Sequence, residues 1–187
     1  MTAVSPRPRR ALPKEIPLAE LPRAVEALAL GRARALLLVG PSGAGKTGLV
    51  LELVAGLRDR GVAVGGVVTP RVLVDGTTRG YRVRDLATGE ETLLCSLDPP
   101  GIPFRRFFFS PKGIELGNHA LERAVRARLA VVDELGPLEL SGGGFAPGLS
   151  SLRSAGPPLI VTVRPWLLEE ALDWLEIPQD TPMVRVG

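Results

Sequence analysis

The sequence predicts an α/β fold: a mostly parallel sheet between two layers of helices, with an antiparallel β-meander inserted. Three observations predict it. Continuous apolar runs at Ala35–Val39, 129–132 and Leu159–Val163 have the length of strands buried on both faces. Segments with apolar residues at helical spacing alternate with those runs, which is the pattern of parallel strands joined by crossover helices. Between the first two long helical segments, residues 66–96 change to short strands broken by turn signals, the mark of an antiparallel insertion.

The elements follow in order. Residues 1–17 are rich in proline and arginine and predict a flexible arm, leaving 18–187 as a single domain. A short helix then has Pro22 in its first turn and Gly31 after its end. After the strand at Ala35–Val39 comes a helix over 48–60, with Leu49, Val50, Leu53, Val54 and Leu57 at helical spacing and Gly61 as its stop. A valine-rich strand covers 62–69. Val72, Leu73 and Val74 run into Asp75-Gly76, a hairpin signal, and 79–86 alternates with Tyr81, Val83 and Asp85 on one face. Residues 87–90 turn the chain into a strand at Glu91–Ser96, and a proline-rich loop over 99–103 closes the meander. Phe107–Phe109 is a short strand. Ser110 caps a helix with Pro111 at its first position, running to about Arg128. Pro165 opens an amphipathic helix through Trp174, and 183–186 form a last strand.

Composition narrows the function classes. The 187 residues suffice for one domain with a sizeable core. Hydrophobic residues make up 45% of the chain and mean hydropathy is +0.19, too apolar for a disordered protein. No apolar run approaches the roughly 18 residues needed to cross a bilayer. Arg7, Arg9 and Arg10 are followed by prolines and by Lys14 and Glu15 where a signal peptide needs its apolar segment, so the expected location is the cytoplasm. A lone cysteine, Cys95, excludes an internal disulfide, and a lone histidine, His119, leaves no zinc site. The net charge of +3, from 23 basic and 20 acidic residues, permits an anionic ligand without demanding nucleic acid. Arg105-Arg106 between Phe104 and Phe107 could grip RNA, but a surface loop entering a strand explains the cluster more simply. The expected state is a monomer.

The segment Gly40-Pro41-Ser42-Gly43-Ala44-Gly45-Lys46-Thr47 fits G-x-x-x-x-G-K-[ST], the Walker A pattern. A strand before it and a helix, opening near Gly48, after it supply the context that makes the pattern a site. Its glycines let backbone N–H groups curl around a β-phosphate at a helix N-terminus. Lys46 would reach the β- and γ-phosphates, and the Thr47 hydroxyl would ligate Mg²⁺. Only three lysines occur, at 14, 46 and 112, and one of them stands where this loop requires it.

Residues 129–134 form an apolar strand ending in Asp133 and Glu134, the Walker B arrangement. Asp133 would support the Mg²⁺ shell, and Glu134 would polarise the attacking water. An acidic residue directly after the aspartate signals the branch of this fold with an extra strand between the phosphate-loop strand and the metal strand. Leu159–Val163 fills that place, and its C-terminal end would face a γ-phosphate, making Thr162 and Arg164 candidates for sensing it. Arg164 could act as an arginine finger in cis.

These segments resemble the small stand-alone nucleoside-triphosphatases, the family of the cancer-related nucleoside-triphosphatase. The resemblance rests on the phosphate loop, on Gly65-Gly66-Val67-Val68-Thr69, on Arg79-Gly80-Tyr81 with Asp85-Leu86, and on Val132-Asp133-Glu134-Leu135-Gly136-Pro137-Leu138-Glu139-Leu140. It covers roughly residues 35–165 and implies a Rossmann-like P-loop NTPase three-layer sandwich. It implies Mg²⁺-dependent hydrolysis of ATP, GTP and other nucleoside triphosphates to the diphosphate, with loose base selectivity. Lys46 and Thr47 would bind phosphate and metal, Asp133 would support the metal, and Glu134 would be the general base. Glu139 would sit near the site or brace its loop. The chain departs from the family where Pro70 and Arg71 stand in place of acidic residues, and where no Asn-Arg pair follows Trp174. Two other readings compete: a nucleotide-dependent adaptor with little turnover, and a small-molecule or nucleotide kinase using Arg105-Arg106 as a lid.

Overall fold

The computed structural model describes residues 13–178 and 180–187. Strands and helices follow in the order β1 (Lys14–Glu15), α1 (Leu21–Ala29), β2 (Ala35–Val39), α2 (Lys46–Asp59), β3 (Val64–Val68), β4 (Arg71–Val74), β5 (Thr77–Asp85), β6 (Glu91–Ser96), β7 (Ile102–Phe104), β8 (Phe107–Phe109), α3 (Pro111–Ala124), β9 (Leu129–Leu135), α4 (Pro137–Leu140), α5 (Ala146–Ala155), β10 (Leu159–Val163), α6 (Leu168–Leu175) and β11 (Pro182–Arg185).

All strands join one sheet in the order β1-β11-β2-β10-β9-β3-β5-β6-β8-β7, with β4 paired to β5. From β1 to β3 every pairing is parallel; from β3 onward every pairing is antiparallel. The predicted α/β architecture holds, and β10 lies between β2 and β9, the place expected of the inserted strand.

Alternation along the central strands splits the core into two layers. Ala35, Leu37 and Val39 pack with α3, α5 and α6, and Leu36 and Leu38 pack with α1 and α2. Full burial of β2, β3 and β10 explains their continuous apolar runs. The β4–β5 hairpin turns at Asp75 and Gly76, both at positive φ (49° and 72°), the turn that Asp-Gly favours. Ser110 accepts a hydrogen bond from the Gly113 N–H at 3.2 Å, capping α3 as its sequence predicts.

Four boundaries need correction. Residues 1–12 of the predicted arm lie outside the described residues, but Lys14 and Glu15 are not loose: they pair with Pro182 and Met183 as β1. The meander does not begin at 66, because Gly66 still pairs in parallel with Val131; the antiparallel part starts with β4. It also continues past 96. Ile102–Phe104, expected inside a loop, pairs with Phe107–Phe109, carrying the sheet on to residue 109. Proline does not prevent this, since β7 is an edge strand where a missing N–H faces outward. Finally, α3 stops at Ala124, four residues short of the expected end. Arg128 and Leu129 instead give their N–H groups to the Ala63 carbonyl, which draws the chain into β9.

Candidate active site

The phosphate loop lies between β2 and α2. Gly43 and Gly45 have φ of 90° and 91°, a backbone that side chains rarely adopt and that the loop's curl requires. Gly48 lies in the first turn of α2. Lys46 is buried, and its Nζ donates to the carbonyls of Gly40 at 2.7 Å and Pro41 at 2.8 Å. Burial holds its pKa below the usual lysine range; the Asp133 charge opposes that shift, while Arg164 and Arg71 reinforce it.

Asp133, fully enclosed, ties three elements together. Its Oδ2 accepts from Thr47 Oγ1 at 2.8 Å and from the Thr69 N–H at 3.0 Å, and its Oδ1 accepts from Thr162 Oγ1 at 2.8 Å. Thr47 and Asp133 thus bring two hard oxygen donors together at the N-terminus of α2. That set suits Mg²⁺, which takes one or two protein oxygens and fills its shell with phosphates and water. Among the described residues no group of three or more His, Cys, Asp or Glu could hold a metal by itself.

Glu134 owes its aim to a β-bulge. Val132 pairs in step with Val161, but Leu135 pairs with Val163, so two residues of β9 face Thr162 alone. Glu134 takes φ of 64°, and its N–H donates to Thr162 Oγ1 at 2.7 Å. Its carboxylate forms an ion pair with the Arg164 guanidinium. The bulge also returns Leu135 to the core layer that Val132 occupies, which strict alternation would forbid.

Two contributors carried no role in the sequence reading. Thr69 fastens Asp133 through its N–H, and its position at the end of a buried strand beside the strand of Asp133 is the signal that finds it. Arg71 was noted only as a departure in charge. Its guanidinium lies against the phosphate loop, 3.5 Å from where a Cβ on Gly43 would stand. Glu139 braces its loop, accepting from the Gly136 N–H at 3.2 Å and the Phe145 N–H at 3.5 Å. Burial raises its pKa to about 7. Arg105 stacks its guanidinium near the rings of Phe104 and Trp166.

The NTPase family model matches residues 35–186, nearly the whole described domain. The chain belongs to the NTPase family. Among family relatives, the nucleoside-triphosphatase THEP1 of Thermococcus kodakarensis is 38% identical over 136 residues, covering 69% of this chain and 75% of the relative. The protein of the same name from Thermofilum pendens is 36% identical over 135 residues, covering 71% and 74%. Of solved family structures, a human cancer-related nucleoside triphosphatase superposes with a TM-score of 0.62 at 25% identity, covering 83% of this chain and 89% of that one. THEP1 of Aquifex aeolicus superposes with a TM-score of 0.66 at 19% identity, covering 82% and 90%, a likeness of fold. The family resemblance seen in the sequence is therefore correct, and the matched span takes in both the phosphate loop and the strand of Asp133. Among the described residues no helix is long and apolar enough to cross a membrane.

Proposed function

We propose that the protein hydrolyses nucleoside 5′-triphosphates, ATP and GTP among them, to diphosphate and phosphate. The observation that carries this reading is the 2.8 Å hydrogen bond from Thr47 Oγ1 to Asp133 Oδ2. It joins the phosphate loop to the acidic strand end, which supports a reading in which a triphosphate in the loop would have its terminal phosphate near Glu134. The names of the relatives support the same activity.

In this reading the loop amides bind the β-phosphate. Lys46 exchanges its bonds to the Gly40 and Pro41 carbonyls for β- and γ-oxygens. Thr47 and Asp133 would hold Mg²⁺, which supplies charge neutralisation across the phosphates. Glu134 takes the proton of the attacking water, and Arg164 leaves Glu134 to neutralise charge on the γ-phosphoryl oxygens. Arg71 adds a second positive charge over the loop.

The test is phosphate release from purified protein with ATP, GTP, CTP and UTP, with and without a magnesium chelator. Turnover on several triphosphates that stops on chelation is the expected result; tight binding without release in every case would replace the hydrolase by an adaptor. The reading also keeps the protein cytoplasmic and monomeric, and sedimentation at working concentration checks the second point.

A further inference from the structure

A cavity of about 120 Å³ is lined in part by Glu134 and Arg164 and by no residue of the phosphate loop. Five aromatic side chains, Tyr81, Phe104, Phe107, Phe109 and Phe145, are among its lining residues. Two pairs of these rings meet edge to face, Tyr81 with Phe107 at 5.6 Å and Phe104 with Phe109 at 6.3 Å, so the wall is a packed aromatic surface. Cys95 also lines it, but burial raises that thiol to about 11 and leaves it unreactive.

The polar lining comes from Thr69, Arg105, Glu134, Glu139 and Arg164. Arg164 Nε is buried and, among the described residues, has no hydrogen-bond partner although the same guanidinium pairs with Glu134. Glu139 is 8% exposed. A cavity with aromatic walls thus also has in its lining an arginine whose Nε has no acceptor and two carboxylates.

Hydrolysis does not need this space. One water requires only about 10–15 Å³ of such volume, and a water needs several polar partners, which aromatic walls do not offer. An apolar cavity of roughly 150 Å³ accepts benzene. The chamber here is thus of the size and character of a single ring.

We propose that the cavity is an acceptor site: it takes a small uncharged molecule with one ring and a hydroxyl, which stands in the place of the attacking water and receives the terminal phosphoryl group. The inference rests on the phosphate-binding and base roles given above. The ring lies among the aromatic side chains. The hydroxyl oxygen accepts from Arg164 Nε and its proton points to the Glu134 carboxylate. The acceptor oxygen bonds to the γ-phosphorus, the bond from the γ-phosphorus to the β–γ bridging oxygen breaks, and the hydroxyl proton passes to Glu134. The products are a nucleoside diphosphate and a phosphate monoester.

The test incubates the full chain with magnesium-ATP and either benzyl alcohol or phenol over a range of concentrations. Diphosphate and free phosphate are measured separately, and the ester is identified by phosphorus NMR. Diphosphate in excess of phosphate, with the difference recovered as ester and saturating in alcohol, is the expected result. Leu138→Trp, which would fill the chamber from its wall, should abolish ester formation while phosphate release without alcohol stays within about two-fold of the parent protein. Equal diphosphate and phosphate at every alcohol concentration would overturn the acceptor site and leave the hydrolase reading standing. Ester formation that rises without saturation and survives Leu138→Trp would overturn it too. Diphosphate formed only when alcohol is present would overturn the hydrolase reading and uphold the acceptor site. No diphosphate in any mixture would overturn both.

Discussion

Arg164 pairs with Glu134, so the two groups assigned to the terminal phosphate neutralise each other before any nucleotide arrives. The side chains are 26% and 19% exposed, which shelters the pair only in part from solvent. In the proposed mechanism a γ-phosphate would offer Arg164 a more highly charged partner and free the carboxylate of Glu134. Glu134→Gln should keep nucleotide affinity and lose turnover by about 10²-fold or more, the usual scale for a missing general base. Phosphate release paired with calorimetry checks it, and a wild-type rate would remove Glu134 from the base role. Arg164→Ala should also lower kcat, with a smaller effect on affinity.

Lys46 and Arg71 are both cations at the phosphate loop but differ in burial, Lys46 being 6% exposed and Arg71 lying open to solvent. Lys46→Ala should abolish detectable nucleotide binding. Arg71→Ala should weaken binding by about 1 kcal/mol at low ionic strength, with the loss shrinking as salt is added, because an exposed charge is screened. Titrations at two salt concentrations separate the two cases, and a salt-independent loss at Arg71 would contradict the exposed contact.

Thr162 serves two masters with one hydroxyl: it donates to Asp133 Oδ1 and accepts from the Glu134 N–H. Thr162→Val keeps the shape and leaves both partners short of a bond. The expected cost is about 1–3 kcal/mol of stability, together with a fall in kcat as the bulge loses its anchor. Denaturant unfolding and steady-state rates measure the two effects. An unchanged midpoint would mean that neither bond contributes.

Glu139 should give stability a pH dependence of definite sign. Burial raises its folded-state pKa to about 7. The folded state therefore holds a proton that the unfolded chain releases above its ordinary carboxylate pKa. That stabilisation is complete below about pH 4.3 and is lost as pH rises to about 7. Glu139→Gln removes the dependence, so the variant should gain on the parent between pH 5 and pH 8, read by thermal unfolding at both values. A gap that stays constant with pH would place the proton elsewhere.

Local signals carried most of the fold. The phosphate loop, Ser110 with Pro111 at the start of α3 and the Asp75-Gly76 turn each depend on neighbouring residues, and each stood plainly in the sequence. Pairings between distant segments were less visible. Nothing near Lys14 announces that it will lie beside Pro182, and the prolines of 99–103 mask an edge strand whose partner is the run Phe107–Phe109. At the site, Asp133 and Glu134 could be named from their strand, but the bulge that aims them is a property of register with Thr162. The place of Arg71 over Gly43 likewise depends on how the β4–β5 hairpin folds back, which no run of adjacent residues encodes.

The left-handed backbone at Glu134 sets folding against chemistry at one position. A glycine would adopt φ of 64° without strain, whereas a glutamate held there costs about 1 kcal/mol or more. Glu134→Gly would relieve that strain but leave Arg164 without its ion pair, and in the proposed mechanism it would also remove the base. Stability alone does not measure fitness at this residue, and a library built to harden this scaffold should hold position 134 constant.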